Sequence, residues 1–306
     1  MNMCLREKLF ENREKNWFFV EPGGNYGDQL IYDGAYKLAD EIGCRYEKYD
    51  FNRFMSKKPG QDEFIYIHGV GGYNSYNSGT PFDILERASS ARNSTVIQGP
   101  CTVDPSEKTL DRINRIVDAG THKELSFFAR EYKTYNSISN SFKTKNAFIY
   151  HDNDTAFHLD KAHLEKLYGK VRSIYDLDVI RIDTEAVSLN PRRQSAIRLD
   201  PAFYANSYEH WIKIHSQAKS ALSNRTHSAI LAAILGKPVI FFGGIYHKNR
   251  SIWEYSLKDR GVKWLNEADE QYFQDERTVM KLLPSRIKNS YKVIRVINSV
   301  KGLPSG

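Results

Sequence analysis

The segment KSALSNRTHSAILAAILGKPVIFF, residues 219–242, places an arginine and a histidine two positions apart where a helix should begin. Ala221-Leu222 reads as a short strand, and Ser223 and Asn224 are favourable N-cap residues. An Ala- and Leu-rich helix follows from Ser228 to Leu235, stopped by Gly236. Lys237-Pro238 then leads into an apolar strand, Val239 to Phe242. A helix start carries unpaired N–H groups and the positive end of a dipole, which disfavours cations. Arg225 and His227 at such a place read as a cradle for phosphate or carboxylate, with Asn224 and Thr226 as neighbouring contacts. The alternative is an Arg225 paired with a local carboxylate and a His227 packed into the turn.

A second constellation lies near the other end. Gly23-Gly24-Asn25-Tyr26-Gly27-Asp28 follows an apolar strand, Trp17 to Val20, and its glycines allow close backbone approach. The spacing is neither GxGxxG nor GxxxxGK[ST], so it predicts neither a dinucleotide fingerprint nor a P-loop. Asn25 and Asp28 suit capping of the next helix. Asn25, Gly27 and Asp28 are also candidate substrate contacts. His68 ends a third strand beside Gly69-Val70-Gly71-Gly72, either as a cleft residue or as a strand-end histidine with ordinary hydrogen bonds. Asp152 and Asp154, in HDND, are candidate acid/base carboxylates at a spacing that also suits a turn. Lys248 is a candidate point charge or a solvated loop lysine. The nine histidines show no HExxH or His/Cys ligand spacing, so no metal is expected.

These residues need strands and helices in alternation to hold them. Strands are expected at Trp17–Val20, Arg45–Tyr49, Phe64–His68, Thr95–Gln98, Glu124–Ala129, Ala147–Tyr150, Asp178–Ile182, Ala221–Leu222 and Val239–Phe242. Helices are expected at Gln29–Ile42, Phe82–Ala88, Leu110–Ala119, after Arg130-Glu131, at Ser207–Ile214 and at Glu276–Ser299. The stretch from Arg181 to Asp200 reads as an irregular polar loop. The pattern predicts an α/β fold of two Rossmann-like domains with mainly parallel sheets, residues 1–148 and 149–306, the last helix packing back on the first domain. Ligands in such sheets bind beyond the carboxyl ends of strands, where both motifs lie.

The chain has 306 residues and a formal net charge of +7, which favours an anionic partner. The basic residues are dispersed and no zinc-finger, RRM or KH signature occurs, which argues against nucleic acid. Nineteen Tyr and sixteen Phe supply faces for a core or for sugar rings. Three cysteines without CxxC spacing point to a reducing compartment. The charged first residues lack an apolar h-region, and no run is long enough to span a bilayer, so a cytoplasmic location is expected, with peripheral membrane contact as an option.

In order, GGNYGDQLI, IHGVGGY, VIQGP, FFAREYKTY, YHDNDTAF, SNRTHSAILAAILGKPVIFF and IYHKNRSIWEY resemble the polysaccharide pyruvyltransferase family over about residues 17–260. The resemblance implies a GT-B-like pair of domains facing across a cleft, with the acceptor on the side of the glycine-rich turn. It also implies transfer of the enolpyruvyl group of phosphoenolpyruvate to a sugar of a capsule, an exopolysaccharide or a polyprenyl-linked precursor, giving a pyruvate ketal, with no cofactor. Arg225 and His227 fall on the family's Arg-x-His and would face the donor; Arg130, on its Arg-Glu pair, would be a further anion contact. His227 is the first choice for proton transfer and Asp152 the second. Thr226 stands where Leu is usual, and Val70 interrupts a glycine run, so the local turn differs. Competing readings are a nucleotide-sugar glycosyltransferase of GT-B type and a non-catalytic glycan- or phospholipid-binding protein.

Overall fold

The computed structural model describes residues 3–266, apart from 75–78, 143, 184, 187–190, 192 and 194. The helix expected at Glu276–Ser299, with its packing on the first domain, lies outside these residues. The chain divides into two compact units, Met1–Leu159 and Asp160–Gly306. The expected boundary after residue 148 falls inside a strand, Ala147–His151, that belongs to the first sheet. The turn that follows is also tied to the first unit. The Thr155 hydroxyl donates to the Ile31 carbonyl at 2.8 Å. Gly34 permits this approach, since a Cβ there would lie 1.9 Å from the Thr155 carbonyl oxygen.

In the first unit, β1 (Asn16–Glu21), β2 (Arg45–Asp50), β3 (Phe64–Ile67), β4 (Thr95–Cys101), β5 (Glu124–Ala129) and β6 (Ala147–His151) form one parallel sheet in the order β2-β1-β3-β4-β5-β6. Strand alternation splits its apolar residues between two cores. Val20, Ile65, Ile67, Val96 and Phe127 pack on one side with Phe82, Leu85 and Ile113 from the helices Thr80–Ser89 and Glu107–Asp118. Trp17, Phe19, Tyr66, Ile97 and Phe128 pack on the other with Ile31, Ala35 and Leu38 from the helix Tyr26–Glu41. Covering both faces makes the strands nearly continuous apolar runs, which is why they are legible in sequence.

In the second unit, β7 (Tyr175–Val179), β8 (Ile197–Leu199), β9 (Ala218–Ser223), β10 (Val239–Phe241) and β11 (Lys263–Trp264) form a parallel sheet in the order β11-β10-β9-β7-β8. Both sheets are therefore wound 2-1-3-4-5 from their own first strand, rather than 3-2-1-4-5-6, with a topological switch beside the first strand. The strand expected at Asp178–Ile182 begins three residues earlier: Tyr175, Leu177 and Val179 are the apolar positions, and Asp178 is buried among them because Arg193 donates to it at 2.7 Å. The stretch read as an irregular loop contains β8, a three-residue strand too short to leave a periodic signal. No helix among the described residues is long and apolar enough to cross a membrane.

Candidate functional site

The switch of the first sheet lies between β1 and β3. Here the glycine-rich turn caps the helix Tyr26–Glu41. The Asn25 side chain accepts from the Gly27 N–H at 2.8 Å, and Asp28 accepts from the Asn25 N–H at 2.9 Å. Gly24, at φ +127°, leaves room for that carboxylate, which a Cβ would overlap. The Tyr32 hydroxyl closes the turn on the Gly23 carbonyl at 2.6 Å.

His68, directly after β3, is 0% exposed. Its backbone N–H extends the β1 ladder to Val20, but neither ring nitrogen has a hydrogen-bond partner among the described residues. Tyr32, Tyr36, Tyr66 and Phe19 surround the ring at centroid distances of 4.7, 4.9, 5.1 and 5.7 Å. Burial, with the Lys48 charge in support, pushes its pKa well below the ordinary value and keeps it neutral. It is a core residue, neither a cleft residue nor one with ordinary ring hydrogen bonds.

At the far edge of that sheet, Arg130 is enclosed. Its Nε donates to the Thr102 hydroxyl at 2.9 Å and its Nη1 to Asp154 at 2.7 Å, and arginine and aspartate are each 1% exposed. Glu131 caps the helix Tyr132–Ser139 through the Lys133 and Thr134 N–H groups. Asp152 accepts from the Leu5 N–H and the Asn153 N–H, both at 2.7 Å, and so anchors the helix Leu5–Glu11. Asp154 also caps the turn Thr155–His158.

The second sheet gathers charge at its own switch. The helix Thr226–Ile234 begins two residues before the expected Ser228, and its N-cap is Arg225, one residue after Asn224. Ser223 uses its hydroxyl to hold the Arg225 backbone on both sides, accepting at 2.9 Å and donating at 3.0 Å. The Arg225 guanidinium, on a residue 8% exposed, donates to Asp200 through Nε at 2.5 Å and Nη2 at 2.6 Å, and to Asp183 through Nη2 at 2.8 Å. The local carboxylate is thus present.

From Arg225 the charges alternate. Asp183 also binds Arg181 in two-pronged fashion at 2.9 and 3.0 Å; Arg181 reaches Glu185 at 2.6 Å; Glu185 receives Lys248 at 2.9 Å. Three cations (Arg181, Arg225, Lys248) meet three carboxylates (Asp183, Glu185, Asp200) on the loops and helix starts that follow β7, β8, β9 and β10. Burial alone would raise the Asp183 carboxyl, but the Arg181 hydrogen bond and the Arg225 and Arg181 charges outweigh it and hold it at about 2. Burial likewise opposes ionisation of Glu185, and Lys248 and Arg181 prevail, lowering it. Lys248 is therefore not a solvated loop lysine.

Amides lock the frame. Asn249 donates to the carbonyls of Asn224 at 2.8 Å and Phe242 at 3.0 Å, and accepts from the Thr226 hydroxyl at 2.7 Å. Asn224 accepts the Arg181 N–H at 2.8 Å, which fixes its Oδ1 as the acceptor and leaves Nδ2 as a buried donor without a partner. The Ser228 hydroxyl, in the first turn of the same helix, is buried, and like Asn224 Nδ2 it has no partner among the described residues. Arg225 Nη1 makes no hydrogen bond among the described residues. His227, half-buried, is the second residue of that helix.

Asn224, Arg225, Thr226, His227 and Lys248 are thus brought together, whereas Asn25, Gly27, Asp28 and His68 lie at the first switch and Arg130 and Asp152 near the β5–β6 edge. Arg181, Asp183, Glu185 and Asp200 are additions from the stretch read as a loop. Their signal is the charged residue at every second position in Arg181-x-Asp183-x-Glu185 and the Asp-Pro start of a helix at Asp200-Pro201.

A solved structure of a functionally uncharacterized protein from Klebsiella pneumoniae subsp. pneumoniae NTUH-K2044 is similar to this chain, at TM-score 0.63 and 21% identity over 85% of this chain and 96% of that one. At that identity the likeness is one of fold. No curated protein shows significant sequence similarity to the chain. A family model described as Polysaccharide pyruvyl transferase matches residues 25–244, from the cap of the first glycine-rich turn to just past β10. Because that stretch spans more than half the chain and holds both switch points, the chain belongs to the polysaccharide pyruvyl transferase family.

Proposed function

We propose that the protein transfers the enolpyruvyl group of phosphoenolpyruvate to a sugar of a capsular, exopolysaccharide or lipid-linked precursor, closing a pyruvate ketal on two hydroxyls. The observation that carries this reading is the set of unspent donors at one helix start: Asn224 Nδ2, Ser228 Oγ and Arg225 Nη1. A buried donor without a partner costs about 1–3 kcal/mol, so such a set is expected where a ligand supplies the acceptors. The donor's phosphate and carboxylate carry acceptor oxygens in abundance. Asp200 and Asp183 together take Nε and Nη2 of Arg225, which leaves Nη1 for a bound anion.

In this reading a proton reaches the methylene carbon of the donor and a sugar hydroxyl adds to the adjacent carbon as it loses its own proton. Phosphate then departs, and the second hydroxyl closes the ring. His227, on the first helical turn, is the proton carrier. The Arg225 edge and the helix N-terminus take up charge on the departing phosphate. Asp152 and Arg130, committed to internal partners, support the fold of the first unit.

The test is calorimetric titration with phosphoenolpyruvate, followed by NMR detection of phosphate release in the presence of glycan acceptors. Binding in the wild type and its loss in Arg225→Ala is the expected result. A thermal shift with UDP-sugars and none with phosphoenolpyruvate overturns the reading.

A further inference from the structure

Two of the most exposed apolar side chains of the second unit flank one residue of the charged cluster. Phe203 is 53% exposed and Ile182 is 61% exposed. The Phe203 N–H donates to the Asp200 carbonyl at 3.0 Å, and the Ile182 N–H donates to the Asp200 carboxylate at 3.2 Å. The same carboxylate grips Arg225, whose guanidinium carbon lies 5.7 Å from the centre of the Phe203 ring. Asp200 thus fixes three things at once: the cation, the ring above it and an aliphatic side chain beside it.

The helix Pro201–Tyr204 is a single turn in which Pro201 and Tyr204 are buried, so the core accounts for those two residues but not for Phe203. Leaving a phenyl ring in water forfeits a burial worth about 1.5–3 kcal/mol. The ring sits within cation–π range of Arg225, whose Nη1 makes no hydrogen bond among the described residues. A ligand held by Arg225 therefore meets an aromatic face next to it.

We propose that Phe203, with Ile182 at its side, is the platform on which the apolar face of the acceptor's pyranose ring rests. This rests on the donor reading given above. The chemistry is complementary. A pyranose presents axial C–H bonds on one face, and these carry partial positive charge toward the negative face of an aromatic ring. Hydroxyls around the sugar's rim remain free to approach a donor bound at Arg225. The platform so placed orients the acceptor beside the donor rather than binding the anion itself, and Phe203 acts as a specificity-determining residue.

The experiment uses the full chain with phosphoenolpyruvate present and a panel of methyl α- and β-glycopyranosides of glucose, galactose and mannose as probes. Saturation-transfer NMR reads sugar binding, and calorimetry reads phosphoenolpyruvate binding on the same samples. At least one glycoside is expected to receive saturation from the wild type and from Phe203→Trp. The signal should fall about tenfold in Phe203→Ala, with phosphoenolpyruvate affinity changed less than twofold. Since the ring is exposed, circular dichroism and Tm should match the wild type. Equal transfer in Phe203→Ala, or no transfer to any glycoside while phosphoenolpyruvate is bound, overturns the platform. Failure of phosphoenolpyruvate to bind the wild type overturns the donor reading instead.

Discussion

Arg130 and Arg225 each follow a strand of a parallel sheet and each sit buried against aspartate, yet their surroundings differ. Arg130 is closed in, with Thr102 and Asp154 on its guanidinium and 1% of its surface exposed. Arg225 shares two carboxylates in a chain of alternating charges, keeps Nη1 unspent among the described residues and lies beneath an exposed phenyl ring. The first arrangement can stabilise only the fold around it. The second holds a cation in a set orientation while part of it remains available. Two arginines that each follow a parallel strand, one near a sheet edge and one at a switch, are thus separated by how far they are enclosed.

The largest expected effect comes from the enclosed pair. Arg130→Met leaves Asp154 buried without its cation, and removing one partner of such a pair costs about 3–5 kcal/mol. Urea denaturation should show this loss, with much of it recovered in Arg130→Met/Asp154→Leu. If Arg130→Met kept native stability but lost affinity for phosphoenolpyruvate, Arg130 would belong with Arg225 and the contrast would fail.

Next comes Arg225→Ala. Removing a charged donor aimed at developing charge typically costs about 10²–10³ in rate, so kcat/KM for phosphoenolpyruvate should fall by about that factor. The fold should suffer as well, because buried Asp200 loses its cation, while Asp183 keeps Arg181. Steady-state kinetics paired with urea midpoints separates the two effects, and a variant with wild-type turnover would remove Arg225 from the site.

These two arginines also show what the sequence could reveal. Parallel strands covered on both faces appear as apolar runs, so β1 and β3 to β6 are legible, and so is the helix start at Arg225. What Arg130 and Arg225 touch is not. Asp154 lies 24 residues from Arg130, and Asp200 lies 25 from Arg225. Such partners are set by sheet order, which local spacing does not encode. The stretch from Arg181 to Asp200 looks like a solvated loop because its residues are charged, yet Asp200 is fully buried; mutual pairing, not exposure, satisfies those charges. His68 was legible as a strand-end residue, but its four aromatic neighbours come from three separate segments.

Asp200→Asn should give a smaller change. It keeps the shape but has a single acceptor oxygen, so it retains one of the two backbone N–H contacts and weakens the grip on Arg225. Loss of a charged hydrogen bond is worth about 1.5–3 kcal/mol, and the KM for phosphoenolpyruvate should rise by about tenfold with kcat less affected. The acid dependence sharpens the point. Asp183 titrates at about 2 when folded, below its unfolded value of about 3.9. The unfolded chain therefore binds this proton first, and the stability that Asp183 contributes is full above about pH 4 and is lost as the pH falls toward 2. In Arg225→Lys, which weakens the forked contact, the acid midpoint should move to higher pH.

The smallest effect belongs to His68, a buried titratable group in the first unit with no ionic partner. Its folded pKa lies well below the ordinary value of about 6.5, so the unfolded state takes up the proton first. Stability from this residue is full above about pH 6.5 and declines as pH falls, by at most about 1.4 kcal/mol per pH unit. His122, His151 and His158 are also lowered by burial, so only a variant isolates the share of His68. His68→Phe replaces an unsatisfied ring by an apolar one among four aromatic neighbours, and at pH 7.5 its stability should stay within about 1.5 kcal/mol of wild type. Urea midpoints at pH 7.5, 6.0 and 5.0 should then converge or cross, with the variant losing less on acidification. Parallel midpoint curves would mean that the imidazole finds a counter-charge on protonation, and the first switch would join the second as a place where charge is held rather than excluded.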